Sequence, residues 1–258
     1  MKISSIDNGK DFDYGMTSED YAKYRDIYPH SMYEKLIFFG IGKNGQSILD
    51  IGSGTCVLPI NLYDTGAHFM SMDISAEQIK EGKKRAGNRN IDFKVGAAES
   101  TGFPDSNFDV VTAVQCFHYF DAEKASNEFY RILKPHGKLC VIFMDWVPEK
   151  SEEIAEMEAL VLKYNPYWNG AGFSKYRYSL PSWTEGKFDI DTIHSYNENI
   201  SFSKEAWIGR VRTCRGVGAS LSREKALSFE NEYRQLIEKR DEPLRLAHQI
   251  HIEIYRKA

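Results

Sequence analysis

Short apolar runs of strand length alternate along the first half of the chain with longer stretches whose apolar residues recur every three or four positions. That alternation is the mark of an α/β order. Pro29 opens a helix through Phe39 that ends near Gly40 and Gly42, since proline suits the first helical turn and glycine the residues beyond the last. Ser47 to Ile51 reads as a first strand, Val57 to Tyr63 as a helix and His68 to Met72 as a second strand. Ser75 and Gln78 have the spacing of a capping box and start a helix to Arg85. Ile91 to Val95 and Phe108 to Val114 follow as strands three and four. Asp121 caps a helix to Leu133, which Pro135-His136-Gly137 breaks before strand five, Lys138 to Phe143.

The pattern changes after Trp146. Glu149 to Tyr164 reads as an amphipathic helix. Asn165 to Gly186 is rich in glycine, proline and aromatics (Tyr167, Trp168, Phe173, Tyr176, Tyr178, Trp183), which suits a packed cap. A strand over Ile190 to Phe202, helical segments over Lys204 to Cys214 and Ser222 to Glu238, and alternation from Leu246 to Ile254 complete the expected order.

Composition narrows the class. The 258 residues carry a net charge of −4, without the basic footprint that nucleic acid usually demands. No apolar run approaches the roughly 20 residues that span a bilayer, and Met1 to Asp7 lacks the apolar core of a signal peptide. Cys56, Cys116, Cys140 and Cys214 are far apart and form no C-x-x-C pair, so neither a metal nor a disulfide is expected. A cytoplasmic protein without a membrane or nucleic-acid partner is the expectation; its oligomeric state is left open.

Chemistry concentrates where strand one ends. Ile48-Leu49-Asp50-Ile51-Gly52-Ser53-Gly54-Thr55 takes an apolar strand into an acid and a glycine turn, and Met72-Asp73-Ile74-Ser75 ends the next strand in another acid. Gly52 and Gly54 let the backbone turn sharply against a ligand, and Asp73 stands where a carboxylate meets a ribose edge. The dinucleotide fingerprint G-x-G-x-x-G needs a third glycine where this chain has Val57. Asp50 would also repel a pyrophosphate, whereas it suits an ammonium or sulfonium ligand.

These residues, with Gly96-Ala97-Ala98-Glu99, Phe103 to Asp109 and Leu133-Lys134-Pro135-His136-Gly137-Lys138, resemble the motifs of class I S-adenosylmethionine-dependent methyltransferases. The likeness is to the small-molecule branch that includes ubiquinone/menaquinone-type and trans-aconitate-type enzymes, and it covers residues 20 to 145. It implies a Rossmann-like, seven-stranded, mostly parallel sheet with an antiparallel last strand inserted between strands five and six. Helices would cover both faces, and a cap would be inserted after strand five. Residues 1–258 would then form one methyltransferase domain, with N-terminal lid helices over 1–45, a cofactor core over 46–145 and a substrate cap with final strands over 146–258. S-adenosylmethionine would be held by Tyr24, Arg25, Asp50, Gly52, Ser53, Gly54, Asp73, Ile74, Ala98, Glu99 and Gln115, leave as S-adenosylhomocysteine and need no metal. The family usually has a further glycine at Cys56 and an acid at Ala97, so the adenine amino group would be met by Glu99 or a backbone carbonyl.

Methyl transfer is an in-line displacement whose main demand is positioning. The loop after strand four, Gln115-Cys116-Phe117-His118-Tyr119-Phe120, should face the methyl group, because ligands of open α/β sheets lie beyond the carboxyl ends of the strands. His118 is its titrating base and the candidate catalytic residue, the other reading being packing or cofactor binding. The loop lacks the Asn/Asp-Pro-Pro-Tyr motif of DNA and amide N-methyltransferases, and Asn165-Pro166-Tyr167 reads as a turn in the cap. Trp168, Trp183 and Trp207, with Tyr14 and His118, are candidates to enclose a small substrate, aromatic or carboxylate-bearing. Arg212 and Arg215, three apart and on one face if helical, are candidates to bind its carboxylate. The competing view makes these aromatics ordinary core and the arginines a solvated face. A protein- or RNA-directed methyltransferase, or a non-catalytic protein that binds S-adenosylmethionine, is the alternative function.

Overall fold

The computed structural model describes residues 1–172 and 180–258. The expectations for Phe173, Tyr176 and Tyr178 lie outside the described residues. In chain order the elements are α1 (Ser18–Tyr24), α2 (His30–Phe38), β1 (Ser47–Ile51), α3 (Val57–Asn61), β2 (His68–Asp73), α4 (Ala76–Ala86), β3 (Ile91–Val95) and β4 (Phe108–Val114). They continue with α5 (Ala122–Ile132), β5 (Leu133–Trp146), α6 (Glu152–Tyr164), β6 (Phe188–Phe202), α7 (Lys204–Arg212), α8 (Arg223–Ile237) and β7 (Leu244–Lys257).

The strands form one sheet in the order β3-β2-β1-β4-β5-β7-β6. β1 pairs in parallel with β2 and β4, β2 with β3, and β4 with β5, whereas β7 runs antiparallel between β5 and β6. This is the Rossmann-like topology expected from the motifs, including the inserted last strand. In β1, Ile48, Leu49 and Ile51 are all buried, and so are Val110, Val111 and Ala113 of β4. Continuous apolar burial is what a parallel strand covered on both faces requires.

Side chains that compete with helix interiors start the helices. Ser75, Asp121, Ser203 and Ser222 each accept a hydrogen bond from a backbone N–H three residues on, at the first turns of α4, α5, α7 and α8. On α5 the buried residues Ala125, Phe129 and Ile132 share one stripe, and Glu123, Lys124 and Asn127 face water.

Two elements differ from the sequence expectation. β5 already pairs at Leu133, opposite Phe108, and pairs again at Lys138, opposite Val110, so the Pro135-His136-Gly137 segment is a bulge within the strand rather than a break before it. The cause is local: His136 takes a left-handed φ of +63°, and Gly137 packs so tightly that a Cβ would stand 2.9 Å from the Lys134 carbonyl oxygen. Helix α7 ends at Arg212, so Arg215 lies beyond it and the two do not share a helical face.

The chain divides into two compact units. One contains residues 28–144, 180–196 and 250–258, and the other residues 1–27, 145–172 and 197–249. The first has its core where Leu49, Val111 and Leu139 of the strands meet Phe129 and Ile132 of α5. In the second, Met157 and Val161 of α6, Trp207 and Val211 of α7 and Phe229 and Tyr233 of α8 form a separate core.

Leu49→Ala is expected to lower unfolding stability by about 3 kcal/mol, because the cavity opens inside the central strand. Phe38→Ala, at a side chain 84% exposed, is expected to stay within about 0.5 kcal/mol. Urea denaturation of the two variants beside the parent checks both values.

Candidate active site

At the carboxyl end of β1 the chain turns through Gly52 and Gly54, whose φ values are +63° and +53°. Both are conformations that side chains disfavour. A Cβ on Gly52 would also lie 2.7 Å from Cys116 Sγ, so this turn is built around the missing side chain. Asp50 sits beneath it, buried, and accepts a 2.7 Å hydrogen bond from Thr112 Oγ1 on β4. Burial pushes the Asp50 carboxyl up to about 7, the Thr112 hydroxyl pulls it back, and the charge of Asp73 adds to the rise.

Asp73, at the end of β2, ties the site together. Its Oδ2 accepts from the Gly54 N–H at 2.9 Å and its Oδ1 from the Ser75 N–H at 2.8 Å. Burial raises its pKa, and the backbone donors of Ser75, Gly54 and Ile74 oppose the rise. The Ser53 N–H donates to the Met72 carbonyl at 3.0 Å. Arg85 of α4 donates from Nη1 to the Thr55 carbonyl at 3.0 Å and to Thr55 Oγ1 at 3.1 Å.

Cys56 takes the position of a family glycine and keeps a glycine's backbone, with φ +66° and ψ 35° at the N-cap of α3. Its side chain turns into the interior, where Sγ lies 3.1 Å from Ser71 Oγ and burial pushes the thiol up to about 12. The substitution therefore leaves the backbone path of the turn as a glycine would have it.

The surroundings fit a nucleoside. Ser53 Oγ is buried without a hydrogen-bond partner among the described residues, an orphan that a ligand hydroxyl or carboxylate would satisfy. Ile74 and Val95, at the ends of β2 and β3, are apolar yet 57% and 50% exposed. They offer a flat contact for an adenine ring beside Asp73. Ala98 is buried, and Ala97 forms a short antiparallel bridge with Ser100. Glu99 Oε1 accepts from the Asp121 N–H at 2.9 Å, so that oxygen already has a donor.

After β4, Gln115 adopts a φ of +58° and its side chain donates to the Met144 carbonyl, fixing the start of the loop. His118 is exposed on the short helical turn Phe117–Tyr119, its ring centroid 3.9 Å from that of Tyr119 and 5.8 Å from that of Phe143. Trp183 belongs to this unit but packs in its core, 4.9 Å from Phe117 and 5.1 Å from Tyr255 between ring centroids.

The remaining predicted residues belong to the other unit. Tyr24 packs flat on α7, where a Cβ on Gly209 would stand 2.4 Å from its ring, and its hydroxyl lies 3.4 Å from Glu205 Oε1. The Arg25 guanidinium lies 4.7 Å from the centre of the Tyr21 ring, and Tyr14 meets Tyr21 edge-on at 6.1 Å. Trp168 and Trp207 are buried, and Trp207 Nε1 donates to Tyr233 Oη at 2.6 Å. Arg212 is gripped by Asp20 at 2.8 Å and by Glu230 at 2.9 Å, while Arg215 pairs with Asp7 at 2.9 Å and donates to Asn169 at 2.9 Å. Acids of the chain itself thus meet both arginines proposed for a substrate carboxylate. Thr112, which donates to Asp50, gave no motif to notice.

Among the described residues no cluster of three His, Cys, Asp or Glu side chains is placed to hold a metal ion. No helix among them is long and apolar enough to cross a membrane.

A glycine turn over a buried acid, a second acid at the next strand end and the antiparallel seventh strand are the features that the resemblance to class I S-adenosylmethionine-dependent methyltransferases implies. Residues 49–141 match the family model described as a methyltransferase domain. The chain is 29% identical over 193 residues to an uncharacterized methyltransferase of Schizosaccharomyces pombe, a match covering 70% of this chain and 76% of that one. A demethylmenaquinone methyltransferase of Renibacterium salmoninarum is 33% identical over 111 residues, covering 42% of this chain and 46% of the relative. Among solved structures the YcgJ protein of a Bacillus superposes with a TM-score of 0.55 at 20% identity, over 88% of this chain and 98% of that one. At that identity the likeness speaks for the fold.

Asp50→Asn is expected to raise stability at about pH 8 and to lose that advantage toward about pH 4. The carboxyl is ionised in the unfolded chain above its ordinary value of 3.8, whereas the fold holds it protonated up to about 7. Stability is therefore lost as pH rises through that window, and a neutral amide escapes the loss. Urea midpoints measured across the range check the sign.

Proposed function

We propose that this enzyme transfers the methyl group of S-adenosylmethionine to a small-molecule metabolite. The single observation that carries the reading of the donor site is the Asp73 carboxylate, fixed by the amides of Gly54 and Ser75 at the edge of a turn whose Ser53 hydroxyl has no hydrogen-bond partner among the described residues. In this reading Asp73 receives the ribose hydroxyls, Ile74 and Val95 bracket the adenine, and the backbone of Gly52 to Gly54 faces the remainder of the donor. The chemistry the donor supplies when bound is a methyl group on a sulfonium centre. Asp50 then acts from below as a partly charged group that favours a cation over a pyrophosphate.

The chain's own part is positioning. Gln115 holds the loop after β4 against β5 through the Met144 carbonyl, which sets where His118 is presented. His118 is the proposed proton acceptor for a hydroxyl or acid acceptor, because it is an exposed imidazole on that loop. Trp168 and Trp207 are core side chains of their own unit. Trp183, within the other core, supports Phe117 beneath the His118 turn. Carboxylate recognition by Arg212 and Arg215 finds no support in their ion pairs. The four cysteines are free and buried, in keeping with a reducing, cytoplasmic setting.

Calorimetry should show binding of S-adenosylhomocysteine and none of NAD, and Asp73→Ala should weaken it by about a hundredfold through loss of charge-assisted hydrogen bonds. Incubation with S-adenosylmethionine and a small-molecule cell extract should yield a product heavier by one methylene. His118→Gln is expected to cut its rate on the order of a hundredfold with cofactor affinity unchanged. Binding of NAD alone would overturn the donor assignment, and an unaltered rate would remove His118 from the proton transfer.

A further inference from the structure

The loop between β3 and β4 presents its main chain. It leaves β3 at Gly96, whose N–H donates to the Asp73 carbonyl at 3.0 Å, so its start is tied to the end of β2. Ala97 and Ala98 carry methyl groups only, and Glu99 gives its Oε1 to the Asp121 N–H at the cap of α5. The Ser100 N–H returns to the Ala97 carbonyl at 3.3 Å. Val95 ends β3, so a base lying on Ile74 and Val95 borders the peptide groups of this loop.

One side chain of α5 fixes the far end of the loop. Glu128 Oε1 accepts from the Thr101 N–H at 2.8 Å and from Thr101 Oγ1 at 2.5 Å. Thr101 is buried and leads directly into Gly102, whose φ is +70°. Glu128 is itself held. Arg131 donates from Nη2 to its Oε1 at 2.8 Å and from Nε to its Oε2 at 2.9 Å, and reaches Asp105 with Nη1 at 2.6 Å. Burial alone would raise the Glu128 carboxyl, but the bonds from Arg131 and Thr101 outweigh it and hold the group down at about 2. The carboxylate is therefore charged at neutral pH, and its bonds to Thr101 are charge-assisted.

Glu128 and Arg131 stand one turn apart on α5 and would satisfy each other as an ordinary helical pair. The reach to Thr101 makes that pair a fixed post for the loop. Hydrogen bonds weaken steeply as their geometry departs from linear, so recognition by peptide groups is as sharp as those groups are still. Adenine sets an amino donor beside a ring-nitrogen acceptor, whereas hypoxanthine sets a carbonyl acceptor beside an N–H donor. Peptide groups fixed for the first pattern oppose the second at both atoms.

We propose that Glu128 is a positioning residue of the donor site: through Thr101 it fixes the peptide groups of Ala97 to Glu99, and these peptide groups select adenine. This inference rests on the reading of Asp73 and the glycine turn as the S-adenosylmethionine site. Asp73 receives the ribose whatever base is attached, so the choice of base falls to the loop.

S-adenosylhomocysteine and S-inosylhomocysteine differ only at that edge of the base, and both are titrated calorimetrically into the full-length protein. The parent is expected to prefer the adenine ligand by about a hundredfold, the scale of two mispaired hydrogen bonds. Glu128→Ala should reduce that preference by about tenfold, because the freed loop then adapts to either base. A residue that only supports the fold would weaken both ligands alike and leave their ratio unchanged, so the ratio is the measurement. Glu128→Gln keeps an oxygen for Thr101 but loses the charge and the grip of Arg131, and should reduce the preference by about threefold. It decides the matter if the alanine variant does not fold. Equal binding of the two ligands by the parent, a preference for the inosine ligand, or a ratio unaltered in the folded variants would overturn the role of Glu128. Failure of the parent to bind either ligand would instead strike the reading of the donor site.

Discussion

A carboxylate with two backbone amides on it organises the glycine turn of this molecule. Asp73 accepts from Gly54 in the turn after β1 and from Ser75 at the cap of α4, so one side chain joins two strand ends and a helix start. Neither amide has a partner in regular structure at those points, and a helix N-terminus leaves its first donors open by construction. The charge-assisted bonds meet that need and in doing so fix the height of the turn above the sheet. Asp50 below and Arg85 behind add two further ties, to Thr112 and to Thr55. The positive φ values of Gly52, Gly54 and Cys56 persist because the surroundings hold the backbone from several directions.

The two units meet different demands. The sheet unit covers both faces of parallel strands, so its strands are nearly uniform in apolar character and its polar chemistry collects where the strands end. The helical unit instead holds its charges in pairs: Arg212 with Asp20 and Glu230, Arg215 with Asp7, Arg234 with Glu205 and Glu230. Apart from the buried Arg215–Asp7 pair, these part-exposed pairs contribute little stability individually. Their effect is to leave the unit's arginines committed, which sharpens what a ligand there could offer.

The fold was legible in the sequence to the extent that periodicity and turn chemistry are local. Strands β1, β3 and β4 follow from their apolar runs and flanking breakers, and the antiparallel β7 followed from the family motifs. The bulge in β5 was not legible, because proline and glycine after a helix signal a break, and only pairing with β4 shows that the strand has already begun. The same holds for the end of α7, which decides whether Arg212 and Arg215 face one way. At the site, Asp50, Gly52, Gly54 and Asp73 announce themselves by spacing. Thr112 does not, since it acquires its place there from Asp50 on the neighbouring strand.

Cys56 carries a consequence for the chemistry of thiols. Only the thiolate attacks an alkylating or oxidising reagent, and this one is buried against Ser71 with its proton held up to about 12. Its backbone is the left-handed corner between the glycine turn and α3. Exposure of the sulfur therefore means opening the corner on which the glycine turn rests. Whatever holds that turn shut, the tie from Asp73 to the Gly54 amide included, also shields the sulfur.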